Sequence, residues 1–208
     1  MGEKRERISG TERREQIIQA AISIMAERGL PGTTTRLIAE KVGISEPALY
    51  KYFSGKKEII LAAMDEVGNM PLVIFSQVGK DEGKVPERIR LISAAFYEYV
   101  MNHTEETMLL FEAVTGARDP EIRAVLGEKF MQYTRLISEM FESGKRQGTV
   151  RKDLDTMVVS WQILSLGITL VFAALMGLED VLTRDKALLA VEEILENIVS
   201  DASADVRT

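Results

Sequence analysis

Apolar residues in this 208-residue chain recur three and four positions apart, and strict alternation is nearly absent. That period places one apolar stripe along a helix and leaves little for a pleated sheet to bury, so the expected class is all-α. Glycines, prolines and hydroxyl residues divide the pattern. A first helix is expected over about 11–29, with Ile17, Ala20, Ala21, Ile24 and Met25 on one stripe and Gly29 as its stop. Thr34 offers an N-cap to a short helix through Val42 that ends at Gly43. Ser45, followed by Glu46 and Pro47, starts a third. "SGKKEII" begins a fourth, which Pro71 is expected to end or bend.

Later helices are expected from Pro86 to about Met101, over about 104–115, and from Asp119-Pro120 to closing glycines at Gly144 and Gly148. The last two are expected over about 154–177 and 183–200. Residues 1–9 and 201–208 should hold the least structure.

Composition removes several kinds of chemistry. The chain has no cysteine, which excludes disulfides, thiolate zinc sites and cysteine nucleophiles. Its single histidine, His103, leaves little room for histidine-based metal sites or triads and reads as a surface or capping residue. Neither a metal nor a cofactor is expected. The opening "MGEKRERISG" has no apolar segment behind it and is not a secretory signal, which makes the expected location cytoplasmic.

The formal net charge is -6, yet it is unevenly spread. Residues 1–60 hold 11 Lys/Arg and 8 Asp/Glu, whereas the remainder holds 15 and 24. A locally basic head on an acidic body suits contact with a polyanion, because phosphate contacts answer to local charge.

The second and third helices have the spacing of a helix-turn-helix. Ile38, Val42, Ile44 and Leu49 supply apolar contacts between them, Ala39 is small where the helices cross, and Gly43 sits at the tight turn. Leu49 and Phe53, four apart, should be buried, with Glu46, Ala48, Tyr50 and Lys51 nearer the exposed side. An ordinary helical hairpin would share part of this spacing.

"IIQAAISIMAERG" followed by "TTTRLIAEKVGISEPALYKYFSGKKEII" resembles the tetracycline-repressor family of transcriptional regulators, over about residues 13–61. Beyond that stretch the resemblance lies in helix order and in "GKRQGTVRKDLD". It implies an N-terminal three-helix helix-turn-helix DNA-binding domain, placed at residues 1–57, and a six-helix ligand-binding and dimerisation domain at 58–208. It also implies that the third helix, matched here by Ser45 through Tyr52, enters the major groove of a double-stranded DNA operator.

Candidate DNA contacts divide by chemistry. Arg36, Tyr50, Lys51 and Lys56 are expected to hold the phosphate backbone, with Lys56 at the positive end of the fourth helix. Thr34 and Ser45 begin the two helices. Glu46 has the chemistry to accept from cytosine N4, Pro47 or Ala48 to touch a thymine methyl, and Tyr52 either to reach a base edge or to pack inward. Leu37 and Gly55 depart from the expected capping pattern at their positions. The terminal "EKRER" reads as a solvated tail or as an arm for the minor groove.

From Thr156 to Leu178 the chain carries no charged residue and is long enough to span a bilayer. Its Ser160, Gln162, Ser165 and Thr169, its acidic flanks and its lack of cationic anchors favour a helix buried within an assembly, with no membrane partner. Ile163, Gly167, Leu170, Ala174 and Gly177 form one stripe that lets another helix approach closely; Trp161, Ser165, Ile168 and Phe172 form another. In the last helix Leu188, Val191, Leu195 and Ile198 make a seam. The expectation is a homodimer through these last two helices and hence a palindromic operator.

Phe96, Met108, Phe111, Phe130, Tyr133, Trp161 and Ser165 are the candidate lining of a pocket for a small hydrophobic or aromatic effector. Ten methionines suit an adaptable apolar site. An enzyme is not expected: Ser54 and Lys57 satisfy Ser-x-x-Lys but lie inside the DNA-binding match, and no phosphate-binding glycine loop is present. The leading expectation is a ligand-responsive repressor, and the rival is a ligand-binding or assembly protein without sequence-preferring DNA binding.

Overall fold

The computed structural model describes residues 8–78, 83–116 and 119–199. Among these, the helices are α1 (Gly10–Gly32), α2 (Thr35–Val42), α3 (Glu46–Leu49), α4 (Lys56–Val78), α5 (Val85–Asn102), α6 (Thr104–Gly116), α7 (Pro120–Gln147), α8 (Thr156–Leu175) and α9 (Arg184–Glu196). The extended pairing among the described residues is one isolated antiparallel bridge, Val150 with Val199. The protein is all-α, with an N-terminal helix-turn-helix and a helical C-terminal region. Two compact units divide it: one takes the described residues up to Gly68 together with Met108–Leu126, the other Asn69–Thr107 together with the described residues from Gly127 onward.

The first unit builds its core from Ile17, Ala21 and Met25 of α1, Ile38 and Ala39 of α2, Leu49, Phe53, and Ile59, Ala63 and Met64 of α4, joined by Leu109 and Ile122. α1 starts at Gly10, within a residue of the expected position. Ser9 Oγ accepts the Glu12 N–H at 3.1 Å while the Glu12 carboxylate accepts the Ser9 N–H at 2.7 Å, a reciprocal cap that holds this carboxyl below its usual range. Gly29, at φ +69°, interrupts the helix as expected, though one further turn carries Pro31 and ends at Gly32. The segment 3–7 and residues 201–208 lie outside the described residues.

Pro71 does not end α4, which continues to Val78. The helix loses one backbone bond there, but Val67 before it and Phe75 after it are each buried, and that burial keeps both sides helical. Gly144 does not end α7 either. It is buried inside the helix, where a Cβ would lie 2.6 Å from a Val150 methyl and 2.9 Å from a Val85 methyl, so the glycine is a point of close packing. The turn comes at Gly148, φ +71°, with the Thr149 and Val150 N–H groups returning to the Gly144 carbonyl at 3.0 and 3.3 Å.

The second unit is centred on Val85, Ile89 and Ile92 of α5, Ile137, Met140 and Phe141 of α7, Val159 and Ile163 of α8, and Val191 and Leu195 of α9. Asp155 caps α8 by accepting the Met157 and Val158 N–H groups, both at 3.1 Å. The small-residue stripe of α8 does receive another helix, but that helix is α5 of the same chain. Ile163, Leu170 and Ala174 are buried, and the Phe96 ring lies 3.2 Å from where a Cβ on Gly167 would stand. Val191, Leu195 and Ile198 likewise face the unit's own core, so the expected α9 seam is occupied within the protomer. Arg90 clamps α5 to α9 with a two-point contact to Glu192 at 2.5 and 2.8 Å. The large apolar residues left exposed on these helices are Met157, Val158, Trp161 and Ile168 on α8 and Leu189 on α9. By length and composition α4 and α8 could each cross a bilayer, yet both contribute residues to these cores.

Candidate nucleic-acid interface

The site is the helix-turn-helix, and its framing begins with caps. Thr34 Oγ1 accepts the Leu37 N–H at 3.2 Å and Ser45 Oγ accepts the Ala48 N–H at 3.3 Å, so each hydroxyl starts its helix as expected. Between them Gly43 takes φ +74°, and the N–H groups of Gly43 and Ile44 return to the carbonyls of Glu40 and Ala39 at 3.1 and 3.0 Å. Pro47 occupies the first turn of α3, where no N–H is needed. Regular helix ends at Leu49, sooner than the span to Tyr52; beyond it Lys51 and Tyr52 continue as turns bonded to Ala48 and Leu49.

Burial sorts the residues of α3 and its turn. Leu49 and Phe53 are closed off in the core, while Tyr50 is 51% exposed and Lys51 is exposed beside it. Ser45 and Pro47 are exposed, and Ala48 is half-buried. Tyr52 is half-buried and packs against the first core, the inward alternative. Glu46 is half-buried as well, with Oε1 accepting from the Thr35 hydroxyl at 2.5 Å.

Two of the expected cations are engaged within the protein. Arg36 pairs along its own helix with Glu40 at 3.0 Å, although its side chain stays well exposed. Lys56 donates to the Leu30 carbonyl at 3.2 Å, tying the start of α4 to the end of α1. The absence of a serine cap at Gly55 is met by a different device: the Glu58 carboxylate accepts both the N–H and the hydroxyl of Ser54, at 2.7 and 2.8 Å. Those bonds, with Arg14 nearby, hold the Glu58 carboxyl below its usual range.

Further contacts have no signature in the local sequence. The Arg14 guanidinium stacks over the Phe53 ring, 4.5 Å from its centroid. Lys57 meets Glu121 at 2.8 Å and Asp119 at 3.1 Å, which raises its own pKa and contributes to lowering that of Asp119. Lys41 is bound by Glu27 at 3.2 Å and by Ser23. Lysine side chains around the head are thus largely committed to neighbours, and Lys51 sits on its exposed surface.

Several of the candidate effector residues pair as aromatic rings within the second unit. Phe130 lies 5.1 Å from Trp161 and 6.4 Å from Tyr133, ring centre to ring centre, and Phe75 adds a ring 6.1 Å from Tyr133. Ser165 is exposed and donates to the Trp161 carbonyl at 2.7 Å. Phe96 packs separately, 6.4 Å from Tyr99. Met108 and Phe111 belong to the first unit, where Met108 is exposed. His103 caps α5: its ring stacks 4.6 Å from Tyr99, whose phenol burial pushes up to about 12. Among the described residues no three His, Asp or Glu side chains gather to hold a metal ion.

Comparison with known proteins agrees with this architecture. Residues 17–63 match the family described as bacterial regulatory proteins, tetR family, and residues 82–171 match the tetracyclin repressor-like, C-terminal domain. The HTH-type transcriptional repressor KstR2 of Mycobacterium tuberculosis is 25% identical over 157 residues, spanning 74% of this chain and 78% of its own. Among solved structures, a TetR transcription regulator from Haloarcula marismortui aligns with a TM-score of 0.78 at 19% identity, over 91% of this chain and 100% of its own. The transcriptional regulator FadR from Bacillus subtilis, in complex with stearoyl-CoA, aligns with a TM-score of 0.71 at 19% identity, over 89% and 97%.

Proposed function

Because the chain belongs to the tetR family of bacterial regulatory proteins, and is thereby a DNA-binding transcription regulator, we propose that it acts as a homodimeric repressor released by a small hydrophobic effector. One observation carries the reading. The helix-turn-helix buries Leu49 and Phe53 and presents Tyr50 and Lys51 outward, a division that positions a polar aromatic and a cation for a phosphate backbone. Arg36 and the start of α4 at Lys56 add backbone contacts. Thr34 and Ser45 hold the two helices in register, and Glu46, Pro47 and Ala48 meet base edges.

The family's regulators act as dimers. For this chain four of the large apolar residues left exposed on α8 and α9, Val158, Trp161, Ile168 and Leu189, are the proposed partner surface. A two-fold dimer reads a palindromic operator. The effector site is assigned to the aromatic group of Phe130, Tyr133 and Trp161. The stearoyl-CoA held by Bacillus FadR supports an apolar ligand in a protein of this fold. Effector binding favours a conformer with weaker operator affinity; a coupling of about 1–3 kcal/mol, or roughly 5- to 150-fold, suffices for release. No catalysis is assigned, and the proposed location is the cytoplasm.

The test is extraction of apolar small molecules from the purified protein, followed by their addition to its complex with the DNA upstream of its own gene. Release of the labelled duplex supports the reading. A complex that survives every extracted compound, with an extract that binds the protein all the same, removes the repressor-release mechanism.

A further inference from the structure

Thr35 and Glu46 are the first helical residues of α2 and α3, and one hydrogen bond joins them. The Thr35 hydroxyl donates to Glu46 Oε1 at 2.5 Å, and both side chains are half-buried. A hydroxyl in the first turn of a helix ordinarily bonds water or its own backbone. Here its proton is spent on a carboxylate of the neighbouring helix. That carboxylate stands at the start of the segment that also presents Pro47, Tyr50 and Lys51.

An ionised carboxylate is an acceptor only. Left free on its three torsions it samples many directions, and a diffuse negative charge beside phosphates repels DNA of any sequence alike. Held at Oε1 by the Thr35 hydroxyl, it samples fewer directions and keeps Oε2 as a second acceptor. We propose that Thr35 is a positioning residue for base selection, holding the Glu46 carboxylate so that Oε2 accepts from the exocyclic amine of a cytosine. The base choice follows from the major-groove pattern. Guanine N7 and O6 and thymine O4 are acceptors and oppose a carboxylate, and adenine sets the acceptor N7 beside its amine. Cytosine N4 alone offers a donor with no acceptor of its own beside it. This inference rests on the reading of α3 as the helix that enters the groove.

The full-length protein is used to select from duplexes with a randomised core about two helical turns long. Each base pair of the selected duplex is then changed singly, and affinity is measured for wild type, Thr35→Val, Thr35→Ser and Glu46→Ala. Wild type should prefer cytosine at one position per half-site by about tenfold. Thr35→Val and Glu46→Ala should flatten that position, leave the others, and keep the salt dependence; Thr35→Ser should keep the wild-type profile. Thr35→Ala takes the place of Thr35→Val if the latter melts early.

A Thr35→Val protein that retains the cytosine preference overturns the inference, as does one that weakens every duplex equally with a shallower salt slope, the mark of a phosphate contact. If wild type selects no sequence at all, the groove reading of α3 fails first. If it selects one and Thr35→Val leaves it unchanged, the positioning role alone fails.

Discussion

Lys57, in the first turn of α4, holds Glu121 at 2.8 Å and Asp119 at 3.1 Å, the two acidic residues that open α7. All three are surface groups, so the pairing is screened by salt and modest in strength. Its sign with pH is nonetheless determined. The Lys57 pKa is raised by its carboxylate partners, so its contribution is complete below the unfolded lysine value and fades as pH climbs through the folded one. The Asp119 pKa is lowered by backbone N–H groups and by Lys57, so its contribution is present above the unfolded value, near 3.9 for an ordinary aspartate, and is lost as pH falls through the lower folded value. Lys57→Gln should therefore lower Tm slightly at neutral pH, and the deficit should close as the medium is acidified below about pH 4. Thermal melts of both proteins across that range check it.

Core and surface positions on adjacent residues should respond in opposite ways. Leu49→Ala and Phe53→Ala each empty a fully enclosed site and should cost about 2–5 kcal/mol of folding stability. Tyr50→Ala, one residue from Leu49, should change it by about 0.5 kcal/mol or less. Urea unfolding of the three variants makes the comparison.

Gly144 has no room for a side chain. Gly144→Ala would force a methyl into Val150 and Val85, and should destabilise by about 1–3 kcal/mol. Val150→Ala in the same chain should restore part of the loss, a coupling that a double-mutant cycle measures.

Much of this was legible in the sequence, and what was not has a physical reason. Thr34, Gly43, Ser45 and Pro47 act within one turn of their own position, so the helix-turn-helix frame and the buried pair Leu49 and Phe53 follow from local spacing. The cap at Ser9 has its own local signature, Ser-x-x-Glu, one that the apolar stripe does not carry. Gly144 misled because burial of its neighbours outweighed a local breaker, and at Pro71 buried neighbours likewise carry the helix on. The stripes on α8 and α9 gave the right periodicity and no information on which helix fills them; α5 of the same chain does so. Lys57 with Asp119, Lys56 with Leu30, and Thr35 with Glu46 are tertiary contacts, and no local pattern announces them.

Trp161 is the single tryptophan and is 45% exposed on the apolar face of α8. If that face joins two protomers, Val158→Glu should yield monomers by sedimentation, shift Trp161 emission to longer wavelength, and weaken operator binding severely. A Val158→Glu protein that remains dimeric would move the partner surface elsewhere.

The most direct test of the account is the affinity of the full-length protein for the DNA upstream of its own gene, measured by anisotropy across a salt series for wild type and Tyr50→Ala. The account predicts a wild-type affinity that falls linearly with the logarithm of salt, as phosphate contacts require. It also predicts roughly a tenfold or greater loss on Tyr50→Ala, the worth of a hydrogen bond to a charged group, with dimer and Tm unchanged. Salt-insensitive binding, or a Tyr50→Ala protein that binds as tightly as wild type, would contradict the assignment of this face to DNA.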